Sequence, residues 1–207
     1  MGHIFSVMRK PTDLRQKVLD ASLALIEEGG LDRLSMREVA RKAGVSHQAP
    51  YHYFGDREAI LASLAGEGFS RLGQSLARAA AQAGSEPAKA VEAMGRAYVE
   101  FALGNPAYFQ AMFRADAVPL DRYADARKRE DEAFGKLVDG IAQAFANRPV
   151  EVRQAIAVAC WAMVHGLATL ILEGSLARKL KIPRARQKRV ANEVIGTFMR
   201  LFSENRT

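Results

Sequence analysis

The chain has 207 residues, 49% hydrophobic and 26% charged, enough apolar material for one domain or two small ones. Its single cysteine, Cys160, excludes an internal disulfide and any C-x-x-C metal spacing, which fits a reducing, cytoplasmic setting. No apolar run reaches the roughly eighteen residues that span a membrane, and the opening stretch Met1 to Lys10 lacks the design of a signal peptide.

The formal net charge is +7, and it is unevenly spread. Residues 1–58 hold nine basic and eight acidic side chains. The segment 178–189 holds seven basic ones (Arg178, Lys179, Lys181, Arg184, Arg186, Lys188, Arg189) and no acid. A basic balance fits a nucleic-acid partner, but the whole excess lies in this one segment.

In chain order, residues 1–10 read as a flexible arm in which Arg9 and Lys10 can reach phosphate. Pro11 and Thr12 open a first helix with an apolar stripe at Leu14, Val18, Ala21 and Leu25. It ends at Gly29-Gly30, and Leu31 and Leu34 lead to a capping box, Ser35 with Glu38, that starts a second helix at Met36. Val39 and Ala40 face inward. Gly44 can take the left-handed conformation that ends a helix sharply. Val45 packs beneath the turn, and Ser46 is placed to cap a third helix. This is the layout of a helix-turn-helix, whose second helix enters the DNA major groove.

That second helix of the motif has two unlike faces. With His47 at zero and about 100° per residue, Gln48, Tyr51 and His52 fall within about 140° of it. Ala49 and Tyr53 fall opposite, and Pro50 and Phe54 lie on the other side of His47, within about 60° of it. Gln suits an adenine edge, and His or Tyr can donate to phosphate or to a purine acceptor. A surface helical hairpin with a polar outer face has the same pattern. Pro50, as a fourth helical residue, would remove a bond back to Ser46.

Asp56 is placed to cap a helix running to about Ala83, with Arg57 in its first turn. Pro87 opens a helix to about Leu103, and Asn105-Pro106 opens a short one holding Tyr108, Phe109, Met112 and Phe113. A polar loop with Asp116, Pro119 and Asp121 follows. Further helices are expected at Tyr123 to Ala146 and from Pro149 to about Glu173. A connector broken by Pro183 and a last helix to about Ser203 complete the chain. No strand signal of convincing length occurs. The fold class is all-α: an N-terminal three-helix helix-turn-helix domain (11–66) and a C-terminal helical domain (67–207), about nine helices in all.

The sequence from Leu14 to Leu61 resembles the DNA-binding domain of the TetR/AcrR family of bacterial transcriptional regulators. G-V-S at Gly44 to Ser46, Y-H-Y-F at Tyr51 to Phe54 and D-R-E-A-I-L at Asp56 to Leu61 carry the likeness, with Pro50 a departure from the family's usual Leu. The resemblance implies a homodimeric, ligand-responsive regulator, a repressor released from a palindromic operator in double-stranded DNA by a small molecule. It places His47, Gln48, Tyr51 and His52 against base edges and Ser35, Ser46, Tyr53 and Arg57 against phosphates. Arg57 has a plainer reading as a solvated residue pairing with a nearby carboxylate. No cofactor, metal or membrane is implied. A helical ligand-binding protein or enzyme that kept this fold without DNA recognition is the alternative, although no catalytic constellation is present.

W-A-M-V-H-G at Trp161 to Gly166 resembles a Trp-x-x-x-His-Gly signature of one branch of the family, as does N-P-A-Y-F-Q-A-M-F from Asn105. Trp161 and His165 share a helix face, and Gly166 would let another backbone come close. They read either as core or as the lining of a largely apolar small-molecule site, with Tyr98, Phe101, Phe109, Met112 and Phe113 beside them. In the last helix Val190, Val194, Phe198 and Leu201 form a stripe with Phe202 beside it. The helix before is rich in small residues (Ala155, Ala157, Ala159, Ala162, Ala168). The two can pair across a two-fold axis, the family's usual dimer contact, or the stripe can be intramolecular core. The basic segment reads as a solvated, mobile loop, a contact for DNA flanks or an acidic partner, or, least well, a membrane anchor.

Overall fold

The computed structural model describes residues 11–114 and 119–204. The expected arm at 1–10 and Asp116 lie outside them. Among the described residues there are ten α-helices and no strand: α1 (Pro11–Gly29), α2 (Met36–Ala43), α3 (Ala49–Phe54), α4 (Arg57–Gln82), α5 (Pro87–Gly104), α6 (Pro106–Phe113), α7 (Ala124–Ala144), α8 (Val150–Leu172), α9 (Ser175–Leu180) and α10 (Arg184–Glu204). The helix beyond the expected nine is α9, which runs into the start of the basic segment.

The chain divides into two compact units, one formed by residues up to Gly66 with Ala107–Ala126, the other by Glu67–Pro106 with the chain from Arg127 on. Expecting one cut after 66 leaves out the return of 107–126 to the first unit. In that unit α1 lays Val18, Leu19, Leu25 and Ile26 against α2 and α3, and Leu31, Leu34, Val39, Ile60, Leu61 and Leu64 complete the core. Ser22 is buried there and its hydroxyl donates to the Val18 carbonyl at 2.7 Å, so α1 hides a polar residue with its bond satisfied.

In the second unit α5 packs against both α8 and α10. Gly95 makes the approach possible: a Cβ there would lie 3.2 Å from Ile195 Cγ2 and 3.4 Å from Val164 Cγ1. Gly166, expected to admit a close backbone, has nothing within 4 Å of such a Cβ. The close approach belongs to α5, and that part of the expectation is corrected.

The stripe on α10 is turned from the expected one. Gln187, Ala191, Ile195 and Met199 are buried, whereas Val194 and Leu201 are exposed. Both faces of α10 are apolar, and periodicity cannot say which one the chain covers. The open choice for Val190, Val194, Phe198 and Leu201 is thereby narrowed: the intramolecular core uses the neighbouring face. α8 also revises the membrane expectation. It is long and apolar enough to cross a membrane and is only partly buried within one chain. It carries Val158 and Trp161 on its open side but Ile156, Ala157, Cys160, Val164 and Ala168 in the core.

Candidate nucleic-acid interface and ligand-domain residues

The motif is built by local signals. The Ser35 hydroxyl accepts the Glu38 N–H at 3.3 Å and caps α2. The other half of the expected box is absent: Glu38 Oε2 instead accepts from Arg41 Nε and Nη2 at 3.0 and 2.7 Å. That bond holds the Glu38 carboxyl below its usual pKa. Gly44 ends α2 at φ 63°, ψ 38°, the left-handed region that costs any other residue strain.

α3 starts later than expected. Ser46 does not cap it; Ser46 and His47 lie in the turn, Gln48 is the N-cap without a side-chain bond, and Ala49 is the first helical residue. Pro50 explains the shift. In the first turn its missing N–H would have had no helical partner in any case, so it fits here and is buried.

Six residues are too few for a helix to hold itself in water. Packing holds this one. Pro50 is buried, Phe54 is half-buried, and the Arg15 guanidinium of α1 lies 4.9 Å from the Phe54 ring centre. The result is the presentation a groove-reading helix needs. His47, Gln48, Tyr51 and His52 are all exposed, Tyr51 by 52%, while Tyr53 is half-buried.

Of the expected phosphate contacts, Ser35 and Ser46 are exposed. The Ser35 hydroxyl keeps its proton free to donate while its oxygen caps the helix. Arg57 is used differently. Its Nε donates to the Leu34 carbonyl and its Nη2 to the Leu31 carbonyl, both at 2.8 Å. It pins the start of α4 to the connector between α1 and α2, so its main partners are backbone carbonyls rather than phosphate or a carboxylate. A further candidate, not expected from the sequence, is Arg37, an exposed cation in the first turn of α2. Its signal was its place beside the Ser35 cap. Glu58, likewise not expected, accepts from the Tyr123 hydroxyl at 3.0 Å across 65 residues and lies 3.7 Å from Arg122. No sequence signal marks a pair so far apart. Burial, with Glu58 beside it, pushes the Tyr123 phenol up to about 12.

The seven expected ligand residues fall into the two units. Tyr98, Phe101, Trp161 and His165 belong to the second, and Phe109, Met112 and Phe113 to the first. In the second unit the Tyr98 hydroxyl and His165 Nδ1 are 2.9 Å apart. The Trp161 ring centre lies 6.4 Å from that of His165 and 5.3 Å from that of Phe134. Tyr98 and Phe101 are buried. Burial raises the Tyr98 phenol far above its ordinary pKa, with Trp161 acting in the opposite direction, and lowers that of His165. His165 is therefore neutral at physiological pH, and a phenol–imidazole pair is set among apolar groups. In the first unit Phe109 and Met112 are buried, and the tilted rings of Phe109 and Phe113 have their centres 4.9 Å apart. Burial also lifts the Cys160 thiol to about 11, which makes it a poor nucleophile.

The pattern described as bacterial regulatory proteins, tetR family, matches residues 18–64, and that described as the tetracyclin repressor-like C-terminal domain matches residues 91–192. A solved structure of a protein of unknown function from Rhodococcus sp. RHA1 superposes with a TM-score of 0.78 at 30% identity, covering 95% of this chain and 98% of that one. The HTH-type transcriptional repressor KstR of Mycobacterium tuberculosis is 33% identical over 146 residues, 69% of this chain and 64% of its own length. KstR of Mycolicibacterium smegmatis is 34% identical over 128 residues, 61% of this chain and 60% of its own length. The chain thus spans about three-fifths of these curated relatives. It belongs to the TetR family of helix-turn-helix transcriptional regulators.

Proposed function

We propose that two copies of the chain form a cytoplasmic repressor that binds a palindromic operator and is released by a small, largely apolar effector. The observation that carries this reading is the outward His/Gln/Tyr side of α3 on a helix fixed by Pro50 and Phe54. Gln48 and Tyr51, with His47 and His52, read base edges. Ser35, Ser46, Tyr53 and Arg37 hold phosphates, and Arg57 keeps the frame rigid. Relatives named as repressors support this direction of control.

A dimer follows from the operator geometry, because two recognition helices must meet major grooves about 34–36 Å apart. The face that joins the copies is the apolar side of α8 and α10 left open in one chain, with Val158 58% and Leu201 59% exposed. Exposed apolar side chains of this kind are what a homodimer interface covers. The effector meets the neutral Tyr98–His165 pair and Trp161. It alters the head separation through α4, one continuous helix with residues in both units. Couplings of this type are worth about 1–3 kcal/mol. A gel shift on DNA upstream of the chain's own gene tests the reading: salt-sensitive, site-selective retardation is expected, and retardation that a random duplex competes away equally well opposes it.

A further inference from the structure

The basic segment is not the mobile loop that its composition implies. Leu176 is buried and anchors α9, the Ile182 N–H donates to the Leu176 carbonyl at 3.3 Å, and the Arg186 N–H donates to the Pro183 carbonyl at 2.8 Å. The buried Gln187 side chain donates to the Ile182 carbonyl at 3.2 Å, tying the three-residue link to α10. Lys181, the one non-glycine residue with positive φ among those described, makes the bend at φ 53°. The cations are carried on a fixed backbone.

Three of the seven are already engaged. Arg178 donates to the Glu173 carbonyl at 2.6 Å, Lys188 pairs with Glu100 at 2.6 Å and Arg189 with Glu193 at 3.0 Å. Lys179, Lys181, Arg184 and Arg186 are exposed and have no carboxylate partner among the described residues. Four unpaired cations thus stand on and beside a braced turn, Lys179 before it, Lys181 at the bend and Arg184 and Arg186 after it, in a chain whose first 58 residues carry a net charge of only +1.

We propose that Lys179, Lys181, Arg184 and Arg186 form a second nucleic-acid surface that takes the phosphate backbone of double-stranded DNA without sequence preference. The choice of DNA as the polyanion rests on reading the chain as an operator-binding regulator. A lipid surface fits less well. Binding in a bilayer interface takes an apolar helix face, and here α9 has six residues, Leu180 alone is strongly exposed at 65%, and Ile182 is half-buried. An acidic protein fits less well too, because Lys is depleted where protein interfaces are buried. Bare phosphate binding needs only cations held within reach, each releasing a counterion as it docks.

The test is fluorescence anisotropy of the full-length protein with a random-sequence duplex between 50 and 200 mM salt. The variant carries Lys179→Gln, Lys181→Gln, Arg184→Gln and Arg186→Gln together. Its plot of log affinity against log salt should be shallower by about 2–4, with at least a tenfold loss near 50 mM. A companion exchanging Lys for Arg and Arg for Lys at the same positions should keep the original slope, which separates charge from misfolding. Gln48→Ala should leave this slope alone while altering operator preference. An unchanged slope in the Gln variant overturns the proposal. So does phosphatidylserine-vesicle binding that the variant loses while its DNA slope stays the same. If the unaltered protein shows no operator selectivity yet has the steep slope, the repressor reading fails and this surface stands.

Discussion

Gln48 and Arg57 fail in different ways when removed. Gln48 is exposed and bonded to nothing by its side chain in the structure, so Gln48→Ala should leave the melting temperature unchanged. It should cost about 1–3 kcal/mol of affinity at one operator base pair, read by titrating single-base variants of the site. Arg57 closes two carbonyls with a charged donor. Arg57→Ala should lower unfolding stability by about 2 kcal/mol in denaturant titration and weaken all DNA sequences alike, and Lys, which has no fork, should rescue little. His165 gives a pH signature. Its folded pKa lies below the ordinary value of 6.5, so the folded state binds fewer protons than the unfolded chain under mild acid. Stability is undiminished above pH 6.5 and falls as pH drops toward the folded pKa. Thermal melts from pH 7.5 to 5.0 should show this loss in the native protein and a smaller one in His165→Gln.

At the scale of elements, what was legible in the sequence was what is local. The Ser35 cap, the Gly44 stop and the Asp56 cap each involve groups within a few residues, and the structure forms all three, with Asp56 accepting the Ala59 N–H at 2.8 Å. The start of α3 was misplaced because Ser46 is a preferred capping residue, while Pro50 fits the first turn only through its buried packing. The role of Arg57 and the Glu58–Tyr123 bond were not legible, since their partners are distant in sequence. Nor was the rotation of α10, whose two faces are both apolar. That rotation yields a paired prediction. Ile195→Ala, in the core, should cost about 2–5 kcal/mol of stability. Leu201→Glu, on the open face, should barely alter chemical unfolding of the isolated subunit but should shift the species seen by analytical ultracentrifugation from dimer to monomer.

Across the whole molecule, charge and shape are assigned to different places. Residues 1–58 carry a net charge of only +1, while the basic excess resides in residues 178–189, and the side of α3 proposed to read bases offers uncharged donors. The apolar surface left over by one chain is concentrated on α8 and α10, and the polar pair Tyr98–His165 lies in the helical unit that holds them. In the proposed regulator, sequence specificity, dimer formation and effector response should therefore be separable by mutation. The most direct test of the central claim is a DNase footprint of the purified full-length protein on DNA upstream of its own gene. The account predicts one protected pseudo-palindrome with half-sites about one helical turn apart, lost when Gln48 and Tyr51 are both replaced by Ala in a protein that still folds and dimerises. Protection that survives that replacement, or that shows no boundary against flanking DNA, would contradict it.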